Sequence, residues 1–100
     1  MLKAKAEIQF TLHGRNYRGG KHFRPVFKFG DGLLFSGSII SENDEYIYNK
    51  PYTVDIEFFT IENEAYNALL PILQPGMGIT IQEGSKITGI ATLLNYTYVA

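Results

Sequence analysis

The feature that most constrains this chain is a strict two-residue alternation near its start. From residue 3 to 12, Lys3, Lys5, Glu7, Gln9 and Thr11 fall on one side and Ala4, Ala6, Ile8, Phe10 and Leu12 on the other. Successive side chains of a strand point to opposite faces, so this pattern predicts a β-strand with one buried face. The pattern returns over residues 52–61, where Val54, Ile56 and Phe58 point inward between Thr53, Asp55 and Glu57. Two such strands far apart in sequence imply a sheet that brings the two halves of the chain together.

Turn residues divide the rest. Strands are expected from Phe23 to Phe29, over 33–40 with a bulge at Gly37, briefly from Tyr46 to Tyr48, over 78–83, and from Lys86 to Leu94. Pro25 has no N–H to donate, so it belongs at a strand start or edge. Between the strands lie Gly30-Asp31-Gly32, the polar run 41–45, Asn49-Lys50-Pro51, Gln74-Pro75-Gly76 and Glu83-Gly84-Ser85. Gly84 supplies the freedom of a tight turn, and Gly89 marks a bulge or a close backbone approach. Residues 63–70 depart from period two. Asn63 can cap a helix, Ala65, Tyr66, Leu69 and Leu70 follow helical spacing, and Pro71 should end it. A short helix there should pack Leu69 and Leu70 against the sheet.

The expected fold is all-β: residues 1–100 as one small closed antiparallel β-barrel of about six or seven strands, with a short helix near 63–70 plugging one end. Closure would remove the exposed strand edges that invite aggregation. The expected inward set is Ile8, Phe10, Val54, Ile56, Phe58, Ile79, Ile81, Ile87, Ile90 and Leu93.

Composition narrows the function. The chain has no cysteine, which excludes disulfides and thiolate metal sites. No apolar run reaches the roughly 18 residues of a membrane-spanning helix. Met1-Leu2-Lys3-Ala4-Lys5 lacks the apolar core of a secretion signal, so a cytoplasmic location is the expectation. There is no Gly-x-Ser-x-Gly, and Arg18-Gly19-Gly20-Lys21 lacks the spacing of a phosphate-binding loop, so neither a catalytic site nor nucleotide binding is expected. His13 and His22 have no metal-ligand spacing, and no metal or cofactor is expected.

The charge is segregated along the chain. Residues 1–30 hold seven Lys/Arg against Glu7, a balance of +6, and residues 31–70 hold eight acids against Lys50, a balance of −7. Opposite charges can meet on neighbouring strands, or they can form a dipolar surface that steers a charged partner. The densest cationic stretch runs from His13 to Arg24. It combines His13, Arg15, Tyr17, Arg18, Lys21, His22 and Arg24 with Phe23 and contains no acid. Such a loop suits an acidic protein, or RNA through phosphate neutralisation and base stacking.

Three segments in order carry a resemblance. Lys5-Ala6-Glu7 with Leu12 looks like the first strand of the third domain of elongation factor Tu and its translational GTPase relatives. Arg18-Gly19-Gly20-Lys21-His22-Phe23-Arg24-Pro25-Val26-Phe27-Lys28-Phe29 resembles that domain's Gly-Gly-Arg loop and Tyr-Arg-Pro-Gln-Phe-Tyr-Phe strand. Gly78 to Leu94, with its Glu83-Gly84 turn and Lys86-Ile87-Thr88-Gly89 strand, is similar to the family's closing hairpin. The resemblance implies a β-barrel and, in that family, a Glu-Gly turn near the tRNA backbone. Here that turn is Glu83-Gly84, a second candidate contact for RNA or a partner. The family's Gln after Arg-Pro is Val26, its Met-Pro-Gly-Asp turn is replaced by Asn49-Lys50-Pro51-Tyr52, and its GTPase is missing. The expected role is therefore a non-catalytic protein-binding module linked to translation, acting as a decoy or neutraliser. Weak tRNA or RNA binding is the alternative.

Overall fold

The structure is a computed structural model describing residues 1–11, 17–18, 24–43 and 45–100, with the backbone alone at Tyr17 and Arg18. Among these residues the elements are β1 (Leu2–Phe10), β2 (Tyr17–Arg18), β3 (Val26–Phe29), β4 (Leu33–Ser36), β5 (Ser38–Ile40), β6 (Glu45–Tyr46), β7 (Tyr52–Phe58), α1 (Asn63–Leu69), β8 (Gly78–Glu83) and β9 (Lys86–Tyr98). The fold is all-β with one short helix. Seven strands form an antiparallel sheet in the order β4-β3-β8-β9-β1-β7-β5, and β2 pairs with β6 in a small ribbon. The sheet curls strongly into a half-barrel.

Both alternating segments form strands, and they pair with each other. β1 and β7 run antiparallel from Leu2 opposite Phe58 to Ile8 opposite Tyr52. Their inward residues Ala4, Ala6, Ile8, Phe10, Val54, Ile56 and Phe58 are all buried. Phe27 and Phe29 of β3 meet Phe58 edge-on at 5.2 and 5.4 Å across the interior, which is how the curled sheet fills its concave side. Tyr46 lies between Phe10 and Tyr52, with ring centroids 5.3 and 5.0 Å away, and fixes the β2–β6 ribbon to the core. Burial there pushes the Tyr46 phenol above its ordinary pKa.

The stretch 33–40 carries more than the expected bulge. Its first half pairs with β3 at one end of the sheet, and its second half pairs with β7 at the other end. Gly37 alone separates them, and its N–H donates to the Pro25 carbonyl at 3.1 Å. A Cβ at Gly37 would come within 2.7 Å of Phe58, 2.9 Å of Ile56 and 2.9 Å of Phe27, so only glycine fits the corner.

β9 corrects the expected inward set. Ile87 and Ile90 are 56% and 46% exposed, whereas Thr88, Gly89, Ala91 and Leu93 face the core. The cause is a bulge: Ile81 pairs with Gly89 but Gln82 with Ile87, leaving Thr88 as the extra residue. Its buried hydroxyl donates to the Ile81 carbonyl at 3.3 Å. Gly89 backs onto β1, where a Cβ would lie 2.7 Å from the Gln9 carbonyl oxygen and 3.2 Å from the Phe10 ring. The large Phe10 side chain occupies the space a β9 side chain would need.

The helix forms near its expected limits with two differences. Glu62, not Asn63, is the N-cap residue, and the cap has no side-chain hydrogen bond. Asn63 instead accepts a bond from the Tyr98 hydroxyl at 2.9 Å, and Tyr66 stacks on Tyr98 at 4.2 Å. Leu69 is fully buried, but Leu70 is 42% exposed, because a single turn of contact admits one of two adjacent leucines. Two strand limits also shift. β7 ends at Phe58, short of Ile61, and Tyr48 sits in the turn after β6, where Asn49 takes a φ of 61°.

Candidate functional site

The β8–β9 hairpin carries the Glu83-Gly84 candidate turn. Its tip is Glu83-Gly84-Ser85-Lys86, with Gly84 at a φ of 59° and Glu83 opposite Lys86 in register. Two described residues that flank the basic segment in sequence, Thr11 and Val26, lie beside this hairpin. Thr11 N–H donates to the Thr88 carbonyl on β9 at 3.0 Å, and Val26, two residues after Arg24, pairs with Gln82 on β8.

His13, Arg15, Lys21 and His22 lie outside the described residues, as does Phe23. The backbone of β2 places Tyr17 opposite Tyr46 and Arg18 opposite Glu45. Arg24 is exposed, and its guanidinium carbon sits 5.9 Å from the ring centroid of Phe59, itself 51% exposed. A cation near an uncovered aromatic face can act as a stacking platform. Phe59 was not legible as a partner of the basic run, because it follows β7 and meets Arg24 only through the Gly37 corner.

The convex face of the sheet divides by chemistry. Over β1 and β7 it is a charge ladder: Lys3 stands opposite Glu57, with Nζ 3.7 Å from the carboxylate, and Lys5 stands opposite Asp55. Part of the opposite charge in the two halves of the chain therefore meets on neighbouring strands. Shallow grooves of about 420 and 520 Å³ lie along this half, sharing Lys5, Ile40 and Asp55. Over β4, β3, β8 and β9 the face is different. One cross-strand row reads Leu34, Lys28, Thr80, Ile90 and Gln9; the next reads Ser36, Val26, Gln82 and Ile87. Neither row contains a carboxylate. Leu34 is 54% exposed, and the Thr80 hydroxyl is buried among these neighbours without a hydrogen-bond partner.

At the far end of β9, Glu62 accepts hydrogen bonds from the Met1 ammonium at 3.0 Å and the Tyr98 hydroxyl at 3.2 Å. The ammonium bond, supported by its charge and by Tyr98, holds the Glu62 carboxyl below its ordinary pKa. Tyr98 is moved upward, first by desolvation and then by Glu62. This cluster ties helix to strand.

Among the described residues no three His, Cys, Asp or Glu side chains converge to hold a metal ion, and no helix is long and apolar enough to cross a membrane. No protein-family model and no characterised protein matches the chain.

Proposed function

We propose that this chain is a non-catalytic protein-binding module, resembling the third domain of elongation factor Tu and linked to the translation machinery as a decoy or neutraliser. One observation carries the binding reading. Ile87 and Ile90 stand exposed next to each other on the outside of β9, and Leu34 stands exposed on β4, in two carboxylate-free rows on the outside of a sheet whose core is filled without them. Clustered uncovered apolar side chains of this kind mark interaction surfaces, whereas scattered ones do not. The cations of the 13–24 segment would supply long-range attraction for an acidic protein.

A barrel closed through the Gly37 corner, without pairing along the outer side of β4, is the finer architecture we infer. Its support is that the two end strands of the sheet, β4 and β5, are one stretch of chain turned at Gly37. Cytoplasmic residence follows from the proposed translation link.

The test is capture from lysate by the tagged chain, with and without RNase, beside an Ile87→Glu/Ile90→Glu variant. Capture of translation components that survives RNase and is lost in the variant supports the reading. Capture abolished by RNase replaces it with RNA binding, the reading that Arg24 over Phe59 favours. Charge reversal at Arg15, Arg18 and Lys21 would then reduce the salt dependence of binding.

A further inference from the structure

We propose that β4 is the edge at which two copies of this chain join, in an antiparallel pair centred on Leu34. Among the described residues β4 pairs on one side, with β3. The Gly37 N–H points at β3, so by strand alternation Phe35 and Leu33 also spend their backbone groups on that side. The N–H and C=O of Leu34 and Ser36 face away, toward the free edge.

That edge lacks the usual protection. Soluble proteins guard edge strands with charged side chains, proline or bulges. Residues 33–40 contain no charge and no proline. Leu33 and Phe35 face the concave side yet stay half-buried, and Leu34 stands on the convex side with more than half its surface in solvent.

The strand is complementary to itself. A two-fold antiparallel pair that keeps each face continuous must centre on a residue. Centred on Leu34, the pair sets Leu34 against Leu34 of the second copy and lets them exchange both backbone hydrogen bonds. Leu33 then meets Phe35 on the concave side, and Ser36 meets Gly32. Asp31 falls opposite Gly37, so no like charges oppose. Centring on Phe35 would place Leu34 against Ser36 and Gly32 against Ser38, beyond the Gly37 corner. The other end of the sheet suits a second copy less. β5 lies beside Asp55 and Glu57 on β7, and self-pairing there would bring those carboxylates toward their own copies.

The occupant is therefore a second copy: an edge without charge offers nothing for a charged partner to select, and its own sequence sets Leu34 against Leu34 and Leu33 against Phe35. Joining at β4 would also merge the two Leu34–Ile90 faces into one continuous surface. The inference stands independently of the partner-binding reading, because it concerns the purified chain alone.

The experiment is sedimentation equilibrium of the purified chain over a concentration series, with Leu34→Lys in parallel. The expected result is twice the chain mass for the unmodified protein and a single chain mass for Leu34→Lys, whose far-ultraviolet circular dichroism should be unchanged because Leu34 is exposed. The natural chain has no cysteine, so Leu34→Cys treated with a short bis-maleimide should cross-link to a dimer, while the comparably exposed Ile90→Cys should not. A monomer at every concentration, or cross-linking no faster at 34 than at 90, overturns the proposal.

Discussion

Gly37→Ala tests how the sheet turns its corner. The added methyl would sit 2.7–2.9 Å from atoms of Phe58, Ile56 and Phe27, inside any normal carbon contact. Those three side chains are at most 1% exposed, so none can swing into solvent. Phe27 and Phe58 are also locked edge-to-face at 5.2 Å, and Phe58 against Phe29 at 5.4 Å. Overpacking a core by one methyl costs about 1–3 kcal/mol, and a disturbed aromatic pair adds about 0.5–1.5 kcal/mol. The expected loss is therefore about 2–4 kcal/mol, a large share of the roughly 5–15 kcal/mol that holds a domain together. Gly37 has no left-handed backbone, so the effect is steric. Urea denaturation followed by tyrosine fluorescence reads it directly. With a slope of about 1.5 kcal/mol per molar, the midpoint should fall by about 2 M. Gly32→Ala is the control, since no atom lies within 4 Å of its added methyl. A Gly37→Ala change within about 0.5 kcal/mol of Gly32→Ala, the ordinary scatter of surface substitutions, would show that the corner is not packed as described.

Three further outcomes are expected. Phe10→Ala, at a site 0% exposed and beside Tyr46 and Gly89, should lose about 3–5 kcal/mol by chemical denaturation; a loss under about 1 kcal/mol would place Phe10 outside the core. Leu69→Ala should cost about 2–4 kcal/mol and Leu70→Ala under about 1 kcal/mol, and equal effects would mean the helix is rotated from the orientation described. For Glu62 the sign follows from its lowered pKa. Its bonds to the Met1 ammonium and Tyr98 stabilise the fold above the ordinary carboxylate pKa, and that contribution fades as pH falls through the lower folded value. Melting temperature against pH should thus fall less steeply in acid for Glu62→Gln than for the unmodified chain; parallel curves would count against the cluster.

The strands that define the fold were legible because their signal is local. Alternation in 3–12 and 52–61 named β1, β7 and their inward faces, since the two-residue period is a property of the strand itself. The β8–β9 turn and the short helix were legible for the same reason, through Gly84, Pro71 and helical spacing. What the sequence left open depends on packing between distant segments. Ile87 and Ile90 carry the hydrophobicity of core residues, and the bulge at Thr88 that turns them outward exists because Gly89 must back onto Gln9 and Phe10, some eighty residues earlier. Leu70 cannot be told from Leu69 until the helix docks. Gly37 reads as a bulge in one strand, but its function as the link between the two ends of the sheet requires Phe27, Ile56 and Phe58 to converge on it. The candidate site divides in the same way. Its cations were plain in the chain, whereas the outward-facing Ile87, Ile90 and Leu34, and Phe59 beneath Arg24, arise only when the curled sheet decides which side chains the core has no room to hold.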